Sequence, residues 1–126
     1  MHREDINAIS FAVIGAAFRV HSNIGPGLLE SVYEKSLTHE LERKHNTVAR
    51  QVPLPVIYDG ADLETTYRLD MLVDNEVIVE VKAVRTVLPV HHAQLLSYLR
   101  LARKQVGLIL NFNVLNMRHG ITRRVL

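Results

Sequence analysis

The chain has no cysteine, which excludes disulfides, thiolate metal sites and a cysteine nucleophile, and agrees with a reducing compartment. It also lacks an apolar leader: "MHREDINAIS" is charged and polar, and no apolar run approaches the length that spans a bilayer. A cytoplasmic, soluble protein without membrane contact is expected. Proline is scarce, 4 of 126 residues, and 48% of residues are apolar, so a disordered polar chain is excluded. No repeat, low-complexity segment or linker is visible. The length suits one domain over residues 1–126 with a real core, and leaves no room for a second. A formal charge of +2 and a pI near 9.2 permit a polyanionic partner without requiring one.

What is present begins with helical periodicity. Ile6, Ile9, Val13, Ala17 and Val20 recur at helical spacing, and Phe11, Ile14 and Phe18 widen the stripe, so Asp5 to His21 reads as a largely buried helix. Gly25, Pro26 and Gly27 break it. A second helix is expected from Leu28 to Lys44, with Glu30, Tyr33, Leu37 and Leu41 on its inward face and Glu34, Lys35, Glu42 and Arg43 solvated. The period then changes to two. "VARQVPLPVIY" reads as an edge strand because proline cannot donate to a central ladder. "LETTYRLDMLV" and "VIVEVKAV" complete a three-stranded meander. Pro89 opens a third helix, from Val90 to Arg103, and "VGLILNF" reads as a buried strand reached by a crossover. "GITRRVL" supplies a last edge strand. The expected fold class is α/β, a central mixed sheet flanked by helices in the order α-α-β-β-β-α-β-β.

The third strand poses a chemical question. Glu80 and Lys82 stand two apart among valines, so both point to one face, and burying such charges is costly unless they are paired or bind a metal. In the preceding strand Arg68, Asp70 and Leu72 share a face, while Tyr67, Leu69, Met71 and Val73 share the other. A two-residue turn at Asp74 and Asn75 would pair Asp70 with Val79 and turn Glu80 away. A three-residue turn, Asp74 to Glu76, pairs Asp70 with Glu80 and Arg68 with Lys82, and we expect this one. Two opposed carboxylates repel, which makes sense if a divalent cation sits between them.

Asp70, nine residues, then Glu80-Val81-Lys82 resembles the metal-binding signature of the PD-(D/E)xK nuclease superfamily, and the order of elements is similar to its restriction-endonuclease-like core. "GLLESVY", Gly27 to Tyr33, resembles the motif of the GxxExxY protein family, usually grouped with that superfamily. "QLLSY", Gln94 to Tyr98, resembles the QxxxY helix motif of several branches. The resemblance implies a nuclease with Asp70, Glu80 and the carbonyl of Val81 on one Mg²⁺ or Mn²⁺. Glu30 would bind the same ion, directly or through water, or a second one. Lys82 would activate the attacking water or stabilise charge on the phosphate. Gln94 and Tyr98, one helical turn apart, would position the substrate backbone and Lys82. Nucleic acid, DNA or RNA, is the implied partner, and a second copy or a partner protein is expected to help so small a core grip it.

Other residues have plainer readings. His91 and His92 diverge by about 100° around a helix and do not chelate one ion easily; an exposed helix-start pair is expected. Arg100, Arg103, Lys104, Arg118, Arg123 and Arg124 are read equally as a phosphate-binding surface or a solvated basic face. Asn111 and Asn113 satisfy local backbone groups. Two rivals to the nuclease remain. One is a non-catalytic nucleic-acid- or protein-binding module that keeps the fold. The other is a structural salt-bridge cluster, in which Lys82 and Arg68 neutralise Asp70 and Glu80 directly.

Overall fold

The computed structural model describes residues 2–126. Its elements are α1 (Arg3–Ile24), α2 (Glu30–Arg43), β1 (Val48–Tyr58), β2 (Ala61–Val73), β3 (Val77–Lys82), α3 (Pro89–Ala102), β4 (Val106–Asn111), a short 3₁₀ turn (Met117–Gly120) and β5 (Ile121–Val125). The five strands form one sheet in sequence order. β3 and β4 run parallel across α3, and the other neighbours are antiparallel. The expected order of helices and strands is the observed one.

The two sides of the sheet are covered differently. α1 and α2 lie over one side, where Val13, Ala17, Tyr33, Leu37 and Leu41 pack on Met71, Val79, Val81, Leu108 and Leu110. α3 lies over the other, where Leu95, Tyr98 and Leu99 pack on Ile78 and Ile109. β4 is buried along its whole length, the mark of a central strand covered on both faces. The proline-bearing β1 is an edge strand, as expected. The stripe on α1 is narrower than its composition suggests: Phe11 is 71% exposed and Phe18 41%, since only part of the helix circumference meets the sheet.

Two glycines have geometric reasons. Gly27 has φ 92° in the loop between α1 and α2, a left-handed conformation that side chains disfavour. Tyr33 closes that loop: its hydroxyl donates to the Gly25 carbonyl at 2.6 Å and accepts from the Leu28 N–H at 3.1 Å, while its ring stacks on Phe112 at 4.4 Å. Glycine, glutamate and tyrosine of "GLLESVY" thus shape a loop that starts α2 at Glu30. At Gly120 an added Cβ would fall on the backbone carbonyl of Asn111. Gly120→Ala should therefore destabilise the fold by about 1–3 kcal/mol, the range for overpacking, measured as a lower urea midpoint; an unchanged midpoint would show that the β4–β5 connection yields without strain.

Candidate metal and phosphodiester site

The hairpin between β2 and β3 has the three-residue turn: Val73 pairs with Val77, Leu72 with Ile78 and Met71 with Val79. Asp74 and Asn75 take positive φ, 49° and 56°, which these residue types tolerate. Asp74 also fastens the hairpin to the end of α2, accepting from Asn46 Nδ2 and from the Thr47 N–H, both at 2.7 Å. The ladder then stops. At the next step the side chains take over: the Asp70 N–H donates to Glu80 Oε2 at 2.9 Å, and the Val81 N–H donates to Asp70 Oδ2 at 2.8 Å. The two carboxylates thus interlock across the gap between β2 and β3.

The strands change face at the same point. On β2, Met71 and Val73 belong to the α1/α2 side, whereas Leu69 belongs to the α3 side. On β1, Val48 packs on the α1/α2 side, and Val52 and Leu54 on the α3 side. Between them Gln51 has φ 52° and sits across from Asp70, in a register bracketed by Arg50↔Met71 and Val52↔Leu69. The even alternation expected of β2 is therefore corrected: the outer β1–β2 arm is turned over relative to the sheet, which brings Tyr67 to α3. The expected Arg68–Lys82 pair does not form, because the ladder ends first; Arg68 donates to the Gln51 carbonyl instead.

The expected charge neutralisation of a structural salt-bridge cluster is not what the geometry shows. The ion pairs among the described residues join Arg19 and Arg43 to Glu40, and Arg50 to Glu34; Asp70, Glu80 and Lys82 form none. Glu80 is 6% exposed. Burial, and then the charge on Asp70, push its carboxyl up to about 8. Burial likewise raises Asp70, with the Val81 N–H pulling the other way. The Lys82 ammonium is near enough to lower both, yet pairs with neither. A buried and a half-buried carboxylate, interlocked and without a bonded counter-cation, have the chemistry of a hard-cation site. Among the described residues, however, no three or more His, Asp or Glu side chains gather around one point. Two carboxylates, a backbone carbonyl and waters suit Mg²⁺, which keeps several waters and often takes one or two carboxylates.

The remaining residues fall as follows. Glu30 is exposed rather than turned in with the apolar residues, because it is the first residue of α2; its carboxylate accepts from the Ala83 N–H at 3.2 Å and its charge reaches Asp70. Glu34, expected to be solvated, is 6% exposed. It accepts from Arg50 at 3.0 Å and from Gln51 at 3.2 Å, and its charge raises both Asp70 and Glu80. The missed signal was spacing: 30, 34, 37 and 41 lie on one helical face. Tyr98 is buried, and its hydroxyl is raised by burial and then by the Glu80 charge, so it borders the pair. Gln94, one turn earlier, is exposed. Asn111 is buried at the end of β4 and clamps the loop after Lys82, accepting from the Val84 N–H and donating to its carbonyl. The histidines are half-buried rather than exposed: His91 Nδ1 accepts from the Leu88 N–H, and burial, then Arg124, lower His92.

These charges set a pH dependence. Glu80 binds its proton more tightly in the folded protein than in the unfolded chain, so between pH 4.5 and about 8 the fold holds more protons and stability falls as pH rises, by at most about 1.4 kcal/mol per pH unit for one group. In chelator-containing buffer the protein should melt higher near pH 5 than near pH 8. Glu80→Gln should flatten that trend and raise the melting temperature at pH 8; a wild type more stable at pH 8 than at pH 5 would contradict the assignment.

No helix among the described residues is long and apolar enough to cross a membrane. No curated protein and no solved structure matches the chain significantly. The family model for the PD-(D/E)XK nuclease superfamily matches residues 7–124, a span that takes in every residue of the interlocked pair and its surroundings. Three helices around a five-stranded mixed sheet are consistent with a restriction-endonuclease-like fold, and the chain belongs to the PD-(D/E)XK nuclease superfamily.

Proposed function

We propose that the protein is a divalent-cation-dependent phosphodiesterase that cleaves nucleic acid, with Asp70, Glu80 and Lys82 as its chemical centre. The observation that carries this reading is the interlocked carboxylate pair, Glu80 buried and Asp70 half-buried, both raised by burial, Glu80 further by the Asp70 charge, and bonded to no cationic side chain. Asp70 and Glu80, with the Val81 carbonyl, would hold Mg²⁺ or Mn²⁺. When bound, the ion supplies positive charge to the phosphate under attack.

The other roles belong to the chain itself. Lys82 follows the pair on the same strand face, so its ammonium is placed to orient water or to stabilise negative charge growing on phosphate. Asn111 and Glu30 hold the backbone just past Lys82 and thereby position it. Arg50 pairs with Glu34 and the Gln51 amide donates to it, which partly offsets the negative charge that Glu34 brings beside the pair. Tyr98 screens one side of the pair from solvent, and Gln94 is placed one turn away to meet the substrate backbone. The GxxExxY resemblance fits the same picture: glycine and tyrosine shape the loop that presents Glu30. A second copy of the chain would widen the surface available to a polymer.

Lys82→Ala should lower turnover by about 100-fold or more, the scale of one electrostatic or proton-transfer contribution, while leaving the fold and Mn²⁺ binding intact. Asp70→Asn should weaken Mn²⁺ binding itself. The assay is cleavage of labelled DNA and RNA with Mn²⁺ or Mg²⁺, beside a calorimetric titration of the ion. A wild type that binds the ion yet cleaves none of a broad substrate panel would leave the binding-module reading in place of the enzyme.

A further inference from the structure

The β1–β2 arm extends past the sheet. From Pro53↔Arg68 to Tyr58↔Ala61 its strands pair only with each other, and residues 61–68 are all exposed. A two-stranded ribbon is marginal alone, and the arm gains its packing from α3, through Leu54, Leu69 and Tyr98. Along the seam stands Tyr67, 46% exposed although its ring rests on that of Tyr98, with centroids 5.7 Å apart and planes tilted by 46°. One part of the ring is fixed by a buried neighbour. The rest is open to solvent, three residues, or about 10 Å of strand, from Asp70.

Two cavities open on the surface: the first, between α1 and α2 and away from this seam, is ≈ 590 Å³, and the second, between the arm and the end of α3, is ≈ 440 Å³. The second is lined by Pro55, Gly60, Asp59, Arg100 and Arg103, and begins about one turn along α3 from Tyr98. Neither arginine belongs to an ion pair among the described residues, and together they outweigh Asp59. The first cavity carries less: its Arg19 and Arg43 are already bound to Glu40.

We propose that the cleft between the β1–β2 arm and α3 is the track of a single-stranded nucleic acid, with Tyr67 stacking a base and Arg100 and Arg103 holding a phosphate beyond it. This rests on the hydrolytic reading of Asp70, Glu80 and Lys82 and names its substrate class. A partly open aromatic ring with arginines further along the same cleft is the arrangement that grips unpaired bases and their backbone. A duplex keeps its bases stacked on one another and would leave the Tyr67 face unused. The cavity is of the size that takes one small ligand, which suits a nucleotide and not a double helix. Because Tyr67 stands about 10 Å from Asp70, the stacked base belongs to a nucleotide next to the one being cut.

The test separates binding from cleavage. In EDTA, fluorescence anisotropy would compare a short labelled DNA strand, its RNA counterpart and the blunt DNA duplex of the same sequence. Single strands should bind more tightly than the duplex. Tyr67→Ala should weaken single-strand binding by about 10-fold, within the range for one stacked base, and Tyr67→Phe should match the wild type. The double variant Arg100→Gln/Arg103→Gln should reduce the salt dependence, log K against log salt, by about 0.7, for the one phosphate the two arginines hold. A duplex bound as tightly as the single strands, or a folded Tyr67→Ala with unchanged affinity, would overturn the proposal. A wild type that binds single strands in EDTA but cleaves nothing with Mn²⁺ would overturn the hydrolytic reading and support the track.

Discussion

The site depends on one exchange of hydrogen bonds. Where the β2–β3 ladder ends, Asp70 and Glu80 replace backbone carbonyls as acceptors for each other's strand. A backbone N–H that lost its ladder partner inside the protein would cost about 1–3 kcal/mol, so the carboxylates satisfy a structural need before they serve any chemistry. That need also fixes their position. Each carboxylate is held by the strand opposite, and the pair is brought together by the same bonds that close the sheet.

The cost of this arrangement is electrostatic. Two acids share the site, and the Glu34 charge nearby raises the cost of ionising both. Arg50 is committed to Glu34 and Lys82 to neither member of the pair, so the cost of ionising both acids is left for a cation to relieve. The turn-over of the arm at Gln51 and Asp70 sets the surroundings. It leaves Met71 and Val73 in the core beneath α2 while rotating Tyr67 toward α3, and so an aromatic ring stands on the α3 side of the arm, about 10 Å of strand from the acidic pair, rather than under the opposite face of the sheet. One local irregularity thereby links the register of a hairpin to the shape of a cleft.

Much of this was readable from residue order. The hairpin register followed from face parity: only an odd turn sets Asp70 and Glu80 together, and Asp74 to Glu76 is that turn. The prolines of β1 marked an edge, and the unbroken apolar run of β4 marked a centre. What escaped was governed by tertiary contacts. Glu34 looks like a surface residue until Arg50 and Gln51 arrive from β1. Glu30 shares its helical face but begins the helix, so it reaches the loop after Lys82 and not the core. The change of face at Asp70 has no period of its own, because it rests on the positive φ of one residue, Gln51. Gln94 shares the motif of Tyr98, and its exposure reflects its place a turn nearer the start of α3.

The central claim is that the Asp70–Glu80 pair is built to receive a divalent cation, and proton release tests it most directly. With the Glu80 carboxyl near 8, the group is mostly protonated at pH 7, and an ion that needs both carboxylates must expel that proton. Calorimetric titration of Mn²⁺ into the protein at pH 7, in buffers of different ionisation enthalpy, counts the protons released. The account predicts close to one proton per bound ion for the wild type and none for Glu80→Gln. Tight Mn²⁺ binding with no proton released, or the same release from the variant, would place the ion elsewhere and contradict it.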